Sequence, residues 1–253
     1  NIGRWNISTF ARLFYSSLLP EWVDKVIHID CDTMIMSSLE PLWNIDMKDK
    51  IVAGAYDCIG DSYKKEIGMK PDDTYISAGN IMLNLAEIRR RNLEENFKEF
   101  IQSHRQLSFA DQPVLNACTA NEDKLLIPLN YNAYSIVFYL NYKNVKRAKK
   151  ASRYYTEAQV LDAVSNPCIV HFTTCFMDGT RPWIENNNHP MIKQYLDYKQ
   201  KSEWADTPLW KDNRSAVKKL GGRMFNILPQ GFVAGSIGIV HDKIVPALHK
   251  IKK

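Results

Sequence analysis

The 253-residue chain is 45% hydrophobic and carries a formal charge of +5, which is apolar enough for a packed core and excludes a disordered chain. No run of about 18 apolar residues offers a membrane span, and nothing resembles a secretory leader. The five cysteines, Cys31, Cys58, Cys118, Cys168 and Cys175, form no Cys-x-x-Cys pair and read as reduced thiols of a cytoplasmic protein.

Ile7, Phe10, Leu13, Phe14 and Leu18 recur at helical spacing between Asn6 or Ser8, as cap, and Pro20, so an amphipathic helix is expected, with Arg12 beside its apolar stripe. Val26-Ile27-His28-Ile29-Asp30-Cys31-Asp32 follows. Its apolar, β-rich residues predict a strand of an interior sheet that delivers two carboxylates, one residue apart, into a turn. Oxygen ligands converging there suit Mg²⁺ or Mn²⁺, although solvated turns also favour Asp. Ser38 to Trp43 predicts a helical turn holding Trp43 against the core. Ile51 to Ala55 predicts a second buried strand, ending near Asp57.

Cys58 to Thr74 is polar, with two glycines and Pro71, and reads as a surface excursion near the site. Tyr75 to Leu85 gives small residues, Ser77-Ala78-Gly79, followed by a strand. A long helix is expected from Ala86 to about Gln102, with Arg89-Arg90-Arg91 as a solvated face. Asp111 is read as the cap of the next helix, with Pro113 in its first turn. Leu125 to Pro128 predicts a brief strand, Tyr131 to Tyr142 an aromatic segment that is either a sugar-stacking wall or, the favoured reading, core, and Cys168 to Phe172 an apolar strand ending at His171.

Beyond Trp183 the composition changes. A short helix is expected around Met191 to Tyr198, and residues 199–253 hold eleven Lys and Arg against four Asp and Glu. That excess is larger than the net charge of the whole chain, so the remainder is slightly acidic. No internal repeat or low-complexity tract is visible. Alternating strands and helices predict an α/β domain to about residue 185, followed by a helical appendage.

Asp30-Cys31-Asp32, Ser77-Ala78-Gly79, Asp111-Gln112, and His171 followed by Arg181-Pro182-Trp183 stand in one order along the chain. Together they resemble glycosyltransferase family 8, retaining enzymes that include bacterial lipopolysaccharide galactosyl- and glucosyltransferases and, more distantly, glycogenin. The resemblance runs from about Ser8 to Trp183. It implies a GT-A-type nucleotide-sugar-binding fold with a mixed central sheet over residues 1–185, and a helical basic region over 186–253.

By the same resemblance, Asp30, Asp32 and His171 hold Mn²⁺, or Mg²⁺, on the diphosphate of a UDP-sugar. Cys31, Ser77 and Ala78 line the donor, and Arg12 reaches its sugar-phosphate. Arg181 takes a diphosphate-contacting position that is usually lysine, after a longer loop, Thr173 to Thr180, than the family's usual one. Asp111 would hydrogen-bond sugar hydroxyls, Gln112 would lie near the anomeric carbon, and Asp57 matches an acid on the acceptor side. Pro113 replaces an acid often found there, and Ser77 replaces asparagine. Since an amide is a poor nucleophile beside a carboxylate, retention is expected through front-face attack, with Gln112 stabilising the oxocarbenium-like centre.

The resemblance also implies a strand and a uridine-holding loop well upstream of the Asp-x-Asp motif. Only 29 residues precede Asp30, so that strand region is expected to be missing here. The expected partners are a UDP-hexose and a glycan or lipid-linked saccharide acceptor, with no nucleic acid. Residues 222–253, apolar at Phe225, Ile227, Leu228, Phe232, Val233, Ile237, Ile239, Val240, Ile244, Val245 and Leu248 and followed by lysines, read either as a packed terminal helix with a solvated basic end or, the favoured expectation, as a peripheral anchor on the anionic inner face of the membrane. Two other readings of the same residues are a metal-dependent phosphohydrolase built on Asp30 and Asp32, and a catalytically impaired sugar-nucleotide or glycan-binding relative.

Overall fold

The computed structural model describes residues 6–104, 107, 109–174 and 181–240. Cys175, most of the loop after His171, and tail residues 241–253 lie outside the described residues.

Among the described residues, seven strands form two mixed sheets. Strands β1 (Lys25–Ile29), β3 (Val52–Tyr56), β4 (Ile76–Asn84) and β5 (Lys124–Leu126) make the larger sheet, in the order β1-β4-β3-β5. There β4 runs antiparallel to both β1 and β3, while β5 is parallel to β3. Strands β2 (Thr33–Ile35), β6 (Ala133–Tyr134) and β7 (Ile169–His171) make the smaller sheet, in the order β2-β7-β6.

Strand β3 is buried throughout, because helices and aromatic segments cover both of its faces. Ala53, Ala55 and Met82 pack against Leu129, Tyr134 and Val137 on one side. Val52, Ile81 and Leu83 pack against Phe10, Leu13 and Phe97 on the other. The aromatic segment is core, as its composition predicts. Strand β1 differs from expectation: it lies at an edge of the sheet, and all five residues are half-buried. An apolar run reports that a strand packs, but not on how many sides.

The strand over 76–84 takes in the small residues themselves instead of following them. Between the pairs Gly54↔Ile81 and Tyr56↔Ile76, β3 advances two positions while β4 runs back five. The three extra residues form a bulge at Ser77 to Asn80, a device that frees backbone groups from the ladder and re-aims side chains.

The first helix is a 3-10 segment, Ile7–Phe14, capped by the Asn6 side chain and continued by an α-helical turn at Tyr15–Leu18. In the turn Glu40–Trp43 it is Leu42 that enters the core, at 2% exposure, whereas Trp43 is 44% exposed and receives the Lys25 ammonium over its ring. The long helix expected over 86–102 is two, Leu85–Arg90 and Leu93–Ser103, broken where Asn92 adopts a left-handed conformation at φ 52°. Of the three arginines before this break, only Arg90 is largely solvated. Arg89 donates to the carbonyls of Ser16, Pro20, Glu21 and Val23. Arg91 pairs with Glu87 and Asp123.

The 58–74 excursion contains the helix Asp61–Glu66, and its Ile59 and Tyr63 form a separate apolar cluster with Tyr75 just beyond it. Lys64 is buried there and donates to the carbonyls of Pro71 and Asp73.

Towards the C-terminus, His189 is 1% exposed and packs on Phe172. Helices follow at Ile192–Lys199, Ala216–Ile227 and Gln230–Ile239. The last of these lies on the helix Tyr142–Lys149, with Val233, Ala234 and Ile237 in the main core. A side chain at Gly238 would meet the Arg147 carbonyl at 2.5 Å, so glycine permits the close approach. Val233 and Ile237 are therefore core residues and not free apolar surface. No described helix is long and apolar enough to cross a membrane.

Candidate functional site

The site forms where the two sheets meet. The Asp30 amide donates to the Gly79 carbonyl, extending the β1–β4 ladder by one residue. Two residues later the Asp32 carbonyl accepts from the Phe172 amide, beside the Thr33↔His171 pair of β2 and β7. A turn that leaves one sheet and enters the other thus carries both carboxylates to the end of the strand that bears His171. His171 Nε2 lies 3.1 Å from Asp32 Oδ1 and 3.7 Å from Asp30 Oδ2. One ligand atom from each of the three residues falls within 4.8 Å of the others. Residues 141 positions apart in sequence converge as expected.

Burial alone would raise both carboxyls. For Asp30, the His28 hydrogen bond and the charges of Arg12 and His171 outweigh it and hold the group below the ordinary carboxylate range. For Asp32, the hydrogen bond and charge of His171, with Arg181, have the same effect. Two ionised carboxylates and one imidazole are a donor set that fits Mn²⁺ or Mg²⁺.

The bulge in β4 supplies the next layer. Arg12 donates one Nη to the Ala78 carbonyl and the other to Asp30 Oδ1 at 2.8 Å, and its Nε lies 3.1 Å from Asp111 Oδ2. The Ala78 amide donates to Gln112 Oε1 at 3.0 Å, and Gln112 Nε2 donates to Asp57 Oδ2 at 2.8 Å. Backbone groups released from the ladder are therefore paired with site side chains, as buried peptide groups require.

Asp111 is the first residue of the helix Asp111–Cys118, not its cap. Ala110 holds the cap position with φ 53°, which turns the chain so that Asp111 points inward. Burial pushes the Asp111 carboxyl up to about 6, against the pull of Arg12. Arg181 Nη2 lies 3.0 Å from Asp32 Oδ2, and its guanidinium sits 5.4 Å from the Trp183 ring centre. Ser77 is buried beside this network and Cys31 is exposed at the turn. Arg12, Asp57, Ala78, Asp111, Gln112 and Arg181 thus form one connected set around the three ligand candidates.

Four residues that border this set escaped sequence reading. His28 Nε2 lies 3.2 Å from Asp30 Oδ1, and its Nδ1 is 3.0 Å from the Tyr15 hydroxyl. Asn132 and Asn80 sit behind His171. His28 was legible in one respect, since it shares a strand face with Asp30 by alternation.

The profile of the family described as "Glycosyl transferase family 8" matches residues 1–187. The chain belongs to glycosyltransferase family 8. Among its relatives, General stress protein A of Bacillus subtilis (strain 168) is 27% identical over 201 residues, covering 78% of this chain and 66% of that protein. Lipopolysaccharide 1,2-glucosyltransferase of Escherichia coli (strain K12) is 24% identical over 208 residues, covering 80% of this chain and 56% of that one. The chain therefore spans about half to two-thirds of the length of these two relatives. Among solved structures, the galactosyltransferase LgtC in complex with donor and acceptor sugar analogs superposes with a TM-score of 0.62 at 19% identity, covering 87% of this chain and 73% of that one. That likeness gives the glycosyltransferase family 8 member its α/β fold with mixed sheets.

Proposed function

We propose that this chain is a retaining hexosyltransferase that moves glucose or galactose from a UDP-sugar to a glycan acceptor, within a GT-A-like domain spanning residues 1–185. The observation that carries the reading is the convergence of Asp30, Asp32 and His171 inside the ring formed by Arg12, Asp111, Gln112 and Arg181. Asp30 Oδ2, Asp32 and His171 Nε2 would hold Mn²⁺, since Asp30 Oδ1 is already engaged by Arg12 and His28. When bound, such an ion neutralises charge developing on a departing nucleoside diphosphate.

The chain's own residues account for the rest. The Arg181 guanidinium, fixed beside Asp32, can grip diphosphate oxygens through two donors. Asp111, kept inward by Arg12, accepts from sugar hydroxyls. Gln112 Oε1 already accepts the Ala78 amide proton and its Nε2 is bound to Asp57. This supports a fixed dipole at the anomeric centre over a nucleophile free to attack. Front-face transfer follows, in which the leaving diphosphate oxygen takes the acceptor's hydroxyl proton. Asp57, held by Gln112 at the mouth of the excursion, sits on the acceptor side.

The helix Ala216–Ile227 has no buried residue. Val217, Leu220, Met224 and Ile227 form an exposed stripe along it, with Lys218 and Arg223 alongside. That pattern supports peripheral attachment of the 186–253 region to an anionic membrane face from the cytoplasmic side, through this helix more than through the packed helix 230–239. A two-metal phosphohydrolase is disfavoured, since the described residues contain one ligand cluster and no second. Mass spectrometry of products from a panel of UDP-sugars with Mn²⁺ tests the function. Hexose transfer is expected, with loss in Asp32→Ala. Phosphate release without transfer, or no turnover with any donor, would overturn the assignment.

A further inference from the structure

Behind the three ligand candidates lies a pair of buried amides that the reaction above does not use. Asn132 is fully buried and Asn80, in the β4 bulge, is 2% exposed. Asn80 Nδ2 donates to Asn132 Oδ1 at 2.8 Å, and the same oxygen lies 3.0 Å from His171 Nδ1. The other two amide atoms, Asn80 Oδ1 and Asn132 Nδ2, have no hydrogen-bond partner among the described residues. Leaving two polar atoms orphaned in a core is unfavourable, so the amides are not there to satisfy one another.

The ring is also constrained by the β4 backbone. A side chain at Gly79 would come within 2.8 Å of His171 Nδ1 and 3.0 Å of Asp30 Oδ2, so the Nδ1–Cε1 edge of the imidazole lies close against the β4 backbone. The ring is also tied along its own backbone. The His171 carbonyl accepts from the Ser135 amide, and Tyr134 of β6 pairs with His171. An imidazole gripped this way has two nitrogens with different surroundings: Nδ1 on an amide oxygen, and Nε2 facing the gap between Asp30 and Asp32.

We infer that Asn132, braced by Asn80, is a positioning residue that keeps a proton of His171 on Nδ1, so that when a cation displaces the Nε2 proton now facing Asp32 the Nε2 lone pair is directed between the two carboxylates. This rests on the metal-binding reading of the site. A neutral imidazole carries one N–H, so an acceptor at Nδ1 decides which nitrogen is free to ligate. An acceptor in that place also raises the basicity of the ligating nitrogen. The reversed amide orientation would present Asn132 Nδ2 to the ring, place the proton on Nε2 and close the position to a cation.

Mn²⁺ titration followed by electron paramagnetic resonance, on the full chain without nucleotide, separates the possibilities. Asn132→Leu is expected to weaken Mn²⁺ binding by about 10- to 100-fold. Asn132→Asp, which keeps the shape and can only accept when ionised, is expected to bind at least as tightly as the parent. Equal binding by parent and Asn132→Leu overturns the inference, and so does parallel loss in Asn132→Leu and Asn132→Asp. A parent that binds no Mn²⁺ overturns instead the reading beneath it. Nitrogen-15 shifts of the His171 ring in the Mg²⁺-loaded parent decide the point without any variant: a protonated Nδ1 is expected, and a protonated Nε2 refutes the inference.

Discussion

Replacing Arg12 with alanine asks how the site tolerates its own negative charge. The guanidinium is 10% exposed and serves the Ala78 carbonyl, Asp30 and Asp111 together. Asp30 would keep His28 and His171 nearby and is 26% exposed. Asp111 has no such reserve. Burial already lifts its carboxyl from 3.8 to about 6 with Arg12 in place, and at 1.36 kcal/mol per unit, ionising it in the folded chain costs about 3 kcal/mol. The sign follows from an acid whose folded value is raised. Its contribution is most favourable below the unfolded value of 3.8, is lost as pH climbs towards about 6, and is constant above that.

Without Arg12 the carboxyl rises further, since the lost charge was lowering it. Arg12→Ala should therefore lose about 3–5 kcal/mol at pH 8, where Asp111 is forced to ionise unpaired. The loss should be distinctly smaller at about pH 5.5, where the carboxyl keeps its proton. Adding Asp111→Asn to Arg12→Ala should recover at least half of the pH 8 loss. Urea denaturation of the three proteins at both pH values reads this directly. A loss of the same size at both pH values, with no recovery in the double variant, would show that Arg12 does not act by holding the Asp111 charge.

Gly79→Ala adds one methyl group where the His171 ring lies; Mn²⁺ affinity should fall about 10- to 100-fold, and unchanged affinity by the same resonance titration would mean that the ring is not seated against β4. Arg89→Ala strips a donor from four loop carbonyls and should cost about 2–3 kcal/mol in urea midpoint analysis, whereas a solvated arginine would cost under about 0.5 kcal/mol. Val217→Glu with Leu220→Glu should reduce sedimentation with phosphatidylserine vesicles while leaving the unfolding midpoint unchanged, because neither side chain is buried. Equal sedimentation of parent and variant would remove this helix from membrane attachment.

What the sequence disclosed follows from the range over which its signals act. Asp30 and Asp32 announce themselves because an apolar strand ending in two acids is a local pattern, and His171 because it ends another such strand. Chain order tied both to the family. Arg89 was misread as solvated because the carbonyls it serves belong to a loop about seventy residues earlier, and a run of three arginines looks the same whether or not such a loop returns to it. The break at Asn92 carries no proline or glycine to mark it; asparagine tolerates the left-handed conformation and terminates the helix without that signal. Trp43 and Leu42 are neighbours in one turn, and composition cannot say which faces inward. Asn80 and Asn132 gain meaning only when β4 and the segment before β6 come together, which no spacing along the chain encodes.

Asp30 belongs by its amide to one sheet and Asp32 by its carbonyl to the other, so a single residue, Cys31, separates two independently laddered halves of the protein. Whatever draws those carboxylates onto a common charge rivets the halves to each other at their seam. Loading the pocket should then stiffen the whole body, and slow protease attack at sites far from any substrate.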